Sequence, residues 1–251
     1  MDEIDRIAPT QRPSAQPIMR QSWRDLLFLH WRADPDAITA QLPDGLTLDL
    51  YDGVAYVGLV PFNMRGVRPI GLPPFAPLSN FGEINVRTYV HHDGRDPGVW
   101  FFSLDAGSIL AVIGARVGYH LPYFQADIVQ TPPSESIVPG EPIHYRSDRL
   151  MPGRVQVQTD VTYRPVGDAT CALPGALDHF LIERYVLYAS NRQRLYRGRV
   201  HHKPYPVQAV TDVSLTENLI AAVGFAVTGQ PVTQHYSRGV DVDIYRLELC
   251  R

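Results

Sequence analysis

The chain has 251 residues, 45% of them hydrophobic and 20% charged. That composition excludes a disordered polymer, a collagen-like chain and a disulfide-stapled miniprotein. The formal net charge is −3, so no basic excess marks a nucleic-acid partner or an anionic membrane surface. Proline (22) and glycine (19) are frequent, which favours short strands and turns over long helices. The cysteines, Cys171 and Cys250, form no CxxC pair and so no thiolate metal or redox motif. The opening MDEIDRIAPTQRPSAQP is polar, without the apolar core of a signal peptide, and reads as a flexible tail over residues 1–18. The longest uncharged apolar stretches, AGSILAVIGA and LIAAVGFAVT, are about half the ~20 residues of a membrane helix. The expectation is a cytoplasmic protein with no membrane partner, folded as a single domain over 19–251.

The first structured run, Trp23 to Trp31 (WRDLLFLHW), has the apolar density of a buried strand. Asp34 can cap a short helix with Pro35 at its first position, Ile38 and Leu42 on one face, and Pro43 and Gly45 at its end. GVAYVGLVPF (53–62) predicts a strand broken at Pro61, and the proline-rich 66–78 reads as a long extended loop. EINVRTYV (83–90) alternates, with Ile84, Val86 and Thr88 on one face and Glu83, Asn85 and Arg87 on the other. GVWFFSLDA (98–106) is β by residue type, and Ser108 is placed to cap a helix over 109–117. Tyr119 to Gln130 returns to extended structure. GRVQVQTDVTYRP (153–165) predicts an amphipathic strand with Val155, Val157, Val161 and Tyr163 inward. A helix near 177–182 follows, then a hairpin split at Asn191, a short helix over 216–223 and a last strand over 240–249. Strands outnumber helices too heavily for a doubly wound fold, so the fold class is α+β, mostly antiparallel β.

The chemistry-bearing motifs are few. There is no GxSxG elbow, P-loop, GxGxxG or HExxH. His179 and Glu183 are four apart and, with His201 or His202, could form a metal set, but no tight ligand spacing supports one; the expectation is no metal and no cofactor. Lys203 is the only lysine, so amine-based covalent catalysis has a single side-chain candidate. The row Glu83, Asn85, Arg87 has two readings. Facing water, it is a solvated face with a weak ion pair; facing a barrel interior, its groups are desolvated and must pair with each other or with a ligand.

Seven segments together resemble the uncharacterised bacterial YqjF-like family within the acetoacetate decarboxylase-like superfamily. They are LVPFNMRGVRP (59–69), NFGEINVRTYV (80–90), GVWFFSLDA (98–106), GYHLPYFQADI (118–128), DHFLIERYVLY (178–188), RLYRGRVHHKPYPVQ (194–208) and QHYSRGVDVDIY (234–245). The resemblance spans roughly 20–249. It implies a closed, cone-like β-barrel with short flanking helices and an interior pocket. Acetoacetate decarboxylases work through a lysine whose pKa is lowered by a second lysine and an apolar setting.

By that resemblance, Arg24 falls on the stretch with the decarboxylase active-site arginine, and Glu83 on the stretch with a pocket glutamate. The lysine pair, which follows a proline, matches HLPYFQ, where Tyr123 and Phe124 stand instead. Neither can form an imine, so classical Schiff-base decarboxylation is not expected. The second pocket glutamate has no match; Gly58 lies near its place. The resemblance therefore implies a small-molecule ligand and, for an enzyme, lyase-like or acid/base chemistry on a keto or carboxylic acid. Glu83 is the acid/base candidate, Tyr123 a donor to a carbonyl or enolate oxygen, and His120 a proton shuttle. Arg24, Arg87 and Phe124 are the substrate-binding candidates. The alternatives are a non-catalytic ligand-binding or sensor barrel, and an interaction protein. Decarboxylase relatives assemble into large oligomers, so a homo-oligomer is one option for this chain.

Overall fold

The computed structural model describes residues 4–151 and 156–250. Among these residues the strands form one 13-stranded sheet. In chain order they are β1 (Met19–Ala33), β2 (Thr47–Leu48), β3 (Ala55–Pro69), β4 (Phe81–His92), β5 (Arg95–Ala106), β6 (Tyr123–Thr131), β7 (Ile143–Met151), β8 (Gln158–Cys171), β9 (Val186–Asn191), β10 (Arg194–His201), β11 (Pro206–Glu217), β12 (Thr233–Ile244) and β13 (Glu248–Leu249). The helices are α1 (Pro35–Thr39), α2 (Ala76–Ser79), α3 (Ile109–Gly118), α4 (Leu177–Ile182) and α5 (Leu219–Ala222).

The strand pairing is ring-like twice over. Hydrogen bonds lead from β5 through β6, β7, β8, β11, β12, β1, β3 and β4 back to β5. A smaller circuit leads from β5 through β9 and β10 to β12, then along β1, β3 and β4 to β5. Strands β12, β1, β3, β4 and β5 form a wall common to both. Pairing is antiparallel except for β5 with β6 and β5 with β9.

This double use explains the sequence of β1. Leu26 and Phe28 fill the smaller ring together with Phe62, Tyr89, Leu104 and Val242. Leu27 and Leu29 fill the larger ring together with Ile84, Val86, Tyr145, Val161 and Tyr236. A strand buried on both faces reads as a continuous apolar run rather than an alternating one, and each such side chain contributes about 1.5–3 kcal/mol of burial. Helix α4 packs Phe180 and Leu181 into the smaller ring, and α5 packs Leu219 and Ile220 against the larger.

Two caps follow the sequence reading. The Asp34 side chain accepts from Asp36 N ahead of Pro35, and the Ser108 side chain accepts from Ala111 N at the start of α3. On β8, Val157, Val161 and Tyr163 are buried as the alternation requires; Val155 lies outside the described residues.

Four boundaries differ from the sequence reading. Pro61 does not break β3. The β1–β3 ladder is interrupted between Arg24↔Asn63 and Leu29↔Leu59, so the missing N–H of Pro61 falls where β1 is bulged and no ladder bond is lost. The 66–78 loop is shorter than expected, because β3 runs to Pro69 and α2 follows, tied back by Ser79 Oγ donating to Val67 O at 2.7 Å. Thr216 and Glu217 belong to β11, and α5 starts only at Leu219. The strand expected at 240–249 starts at Thr233 and stops at Ile244, with β13 separate. Gly239 (φ 124°) lets β12 press on β1 in mid-strand: a Cβ there would lie 2.0 Å from Trp23 O. Ahead of β1, Arg6 Nη2 donates to Asp49 at 2.5 Å and Arg12 Nη2 to Asp243 at 2.5 Å.

Candidate ligand-binding site

The alternating strand β4 decides the site. Its residues Phe81, Glu83, Asn85, Arg87 and Tyr89 turn toward the smaller ring, while Ile84 and Val86 turn toward the larger. Glu83 is only 2% exposed. Tyr123, at the start of β6, donates its phenol O–H to Glu83 Oε2 at 2.8 Å. Burial pushes the Glu83 carboxyl up to about 8, the charge of Asp105 adds to the rise, and the Tyr123 bond opposes it. At neutral pH this group is mostly the neutral acid. The Tyr123 phenol is itself held well above its ordinary range, by burial first and then by Glu83.

The strand carrying Glu83 is tightly held. Tyr145 O–H donates to Glu83 O at 2.8 Å from the larger ring. Beside it, a Cβ on Gly82 would lie 2.3 Å from Ile128 Cγ2.

Along the same face, the buried Asn85 Oδ1 has no partner among the described residues, and neither has the buried Arg87 Nε. Arg87 Nη2 donates to Leu181 O at 3.0 Å, and its guanidinium lies 5.6 Å from the Phe28 ring centroid and 5.8 Å from that of Tyr89. Tyr89 O–H donates to the same Leu181 O at 2.8 Å and meets His30 Nε2 at 2.7 Å. The phenol is already donating, so His30 Nε2 supplies the proton of their bond, and Nδ1 is left to accept from Thr233 Oγ1 at 2.9 Å. Burial holds His30 well below the usual imidazole range, the neutral form this network needs. Gly58 stands opposite both His30 and Arg87 in the ladders, and a Cβ on it would meet His30 Cδ2 at 3.0 Å. Any side chain there, including the glutamate of the decarboxylase pattern, would have to push against the buried His30 ring.

Of the residues singled out from sequence, the structure therefore brings together Glu83 and Tyr123, with Arg87 on the same face. The other three lie elsewhere. Arg24 is half-buried at the surface, donating to Trp23 O at 3.0 Å, Val240 O at 2.7 Å and Asp241 Oδ1 at 2.5 Å. The bulge at Asp25 (φ 54°) separates it from the inward residues of β1. Arg24 lines an open groove that neither Glu83, Tyr123 nor Arg87 lines. Phe124 follows Tyr123 on a strand, so it faces the other way, and the Arg149 guanidinium stacks 3.9 Å from its centroid. His120 (φ 55°) sits in an outer crevice near Trp100 and Arg116, with Nε2 3.4 Å from Asn191 Nδ2. Lys203 lies in the Arg24 groove. His179, Glu183 and His202 make no metal set: among the described residues no three His, Cys, Asp or Glu side chains are grouped to hold an ion. Glu183 instead accepts from Tyr185 O–H at 2.6 Å and Tyr205 N at 2.8 Å.

One pair escaped the sequence reading. Asp105, 1% exposed, is gripped by Arg149 through Nε at 2.9 Å and Nη2 at 2.6 Å, and Arg149 Nη2 also reaches Ser103 Oγ at 2.6 Å. Burial raises the Asp105 carboxyl, and the Arg149 bonds oppose the rise. The acid at the end of the apolar run GVWFFSLDA was the available signal.

The fold is that of the acetoacetate decarboxylase-like proteins. It resembles the acetoacetate decarboxylase of Legionella pneumophila with a TM-score of 0.62 at 14% identity, over 97% of this chain and 92% of that one. It also resembles the enduracididine biosynthesis enzyme MppR complexed with pyruvate, with a TM-score of 0.61 at 16% identity, over 94% of this chain and 91% of that one. By sequence, the chain belongs to the DUF2071 family of uncharacterized conserved proteins, matched over residues 20–241. It is 37% identical over 225 residues to the uncharacterized protein YqjF of Bacillus subtilis (strain 168), covering 90% of this chain and 89% of that one.

Proposed function

We propose that the smaller ring is a cone-like barrel that takes up a small carbonyl or carboxylate compound, with Glu83 as its acid–base group. The observation that carries this reading is the buried Glu83 carboxyl, pushed up to about 8, with the Tyr123 phenol 2.8 Å away. A carboxyl poised near neutral pH can give or take a proton in the working range. The unpartnered Arg87 Nε–H and Asn85 Oδ1 on the same face supply a donor for a carboxylate or carbonyl oxygen and an acceptor for a hydroxyl. Tyr123 would stabilise a developing enolate oxygen. MppR, similar in fold, is described with bound pyruvate, which supports a ligand of this class.

The reaction proceeds without an imine in this reading, because Lys203 lines the outer groove rather than facing Glu83. A second reading is a sensor that binds and does not turn over. It is favoured by Glu83 and Tyr123 already satisfying each other.

The test is enolisation in heavy water. Pyruvate and acetoacetate are incubated with the protein, and loss of their exchangeable C–H signals is followed by NMR. Faster exchange that disappears in folded Glu83→Gln supports acid–base catalysis. Saturable binding without exchange supports the sensor, and the absence of both binding and exchange refutes the ligand-pocket reading. Borohydride trapping with acetone should leave the protein mass unchanged; an adduct lost in Lys203→Arg would overturn the no-imine step.

A further inference from the structure

Away from the Glu83 row, a groove of about 760 Å³ runs beside β12 and the connection from β10 to β11. Its lining includes five side-chain cations (Arg12, Arg20, Arg24, Arg68 and Lys203) against two carboxylates, Asp241 and Asp243. Both carboxylates are engaged. Asp241 Oδ1 accepts from Arg24 Nη2 at 2.5 Å and Ser22 Oγ at 2.8 Å. Asp243 holds Arg12 Nη2 at 2.5 Å and lies 3.4 Å from Arg20 Nε.

The remaining charge is not matched by an ion pair; Arg68 acts on Asp241, but from beyond ion-pair distance. Arg68 Nη1 donates to Gly66 O at 2.7 Å, and neither Arg68 nor Lys203 has an ion pair among the described residues. Lys203 is presented from a restrained backbone: Pro204 follows it, and His202 Nδ1 lies 2.8 Å from Lys203 O. The His202 ring is itself fixed, stacked on Tyr185 at 4.3 Å between centroids. Its Nε2 is buried on the Arg184 side, so the ring serves the groove as a support and not as a ligand. Five cations against two engaged carboxylates, with Lys203 on a fixed support, describe a site whose positive charge the chain itself does not balance.

We infer that this groove binds a small molecule through a phosphoryl group. A monocarboxylate would answer one cation and leave the rest. A phosphoryl group offers several oxygens and about two negative charges, enough for the Arg68 fork and the Lys203 ammonium together. Arg24, tied down by two carbonyls and Asp241, is part of the frame and acts as a positioning residue. The site is independent of the Glu83 row and of any chemistry there.

The experiment is calorimetric titration of the full chain with inorganic phosphate, pyrophosphate, glycerol 3-phosphate and citrate. Wild type is compared with Arg68→Gln/Lys203→Gln, with Glu83→Gln, and with Arg194→Gln as an exposed arginine outside the groove; circular dichroism checks each fold. Pyrophosphate should bind wild type one-to-one and about tenfold or more weakly in the double variant. The Glu83 and Arg194 variants should match wild type. Glycerol 3-phosphate ahead of phosphate assigns the site to esters, and the reverse order to the free ion; either supports the inference. No saturable binding, an equal loss in Arg194→Gln, or citrate binding as tightly as pyrophosphate overturns it.

Discussion

Replacing Glu83 by glutamine tests the electrostatic reasoning directly. The variant keeps the shape of the side chain and removes its titration. Glu83 is neutral in the folded protein up to about 8, whereas an unfolded glutamate ionises near 4.5. Between those values the folded state holds more protons than the unfolded state, so stability falls as pH rises. For one group with these two values, the loss from pH 5 to pH 8 is roughly 3–4 kcal/mol. Glu183 and Glu217 also have raised carboxyls, through burial, and push in the same direction. They are common to both proteins and cancel in the difference. The assay is urea unfolding of wild type and Glu83→Gln at pH 5, 6, 7 and 8. The two should be closest at pH 5, and the variant should gain on wild type steadily toward pH 8. Parallel stability curves would refute a buried, neutral Glu83.

Three further outcomes follow from the same geometry. Tyr123→Phe removes the bond that opposes the rise of the Glu83 carboxyl, so its apparent pKa should move further up, read by carboxyl-carbon NMR. Gly82→Ala would place a Cβ 2.3 Å from Ile128 Cγ2 and should cost about 1–3 kcal/mol, read as a lowered urea midpoint. Arg149→Gln strips Asp105 of its cation in a buried setting and should destabilise by about 3–5 kcal/mol at neutral pH. Part of that loss should return in mild acid, where Asp105 can be protonated; a constant loss between pH 5 and 8 would show that Arg149 contributes mainly by packing.

Local signals in the chain were sufficient for several elements. Asp34 before Pro35 and Ser108 before an apolar run each mark a helix start, because a short polar side chain can accept from the first free N–H groups. The alternation of 83–90 placed Glu83, Asn85 and Arg87 on one face, since side chains on a strand must alternate. Which environment that face meets was not a local property. It depends on closure of the smaller ring by β9, β10 and α4, roughly a hundred residues further along, and this turned a polar row into a buried one.

Tertiary structure also decided which singled-out residues meet. Tyr123 reaches Glu83 because β6 enters beside β5, and Phe124 turns away because it is the next residue on that strand. Arg24 is separated from Glu83 by a bulge opposite Pro61, a feature that exists only once β1 and β3 are paired. The amino-acid sequence by itself determined the strand-rich class, the caps, the alternation and the single lysine, each through short-range sterics and hydrogen bonding. Burial, charge shifts and the meeting of distant side chains came from ring closure, because desolvation belongs to the enclosure and not to any segment of chain.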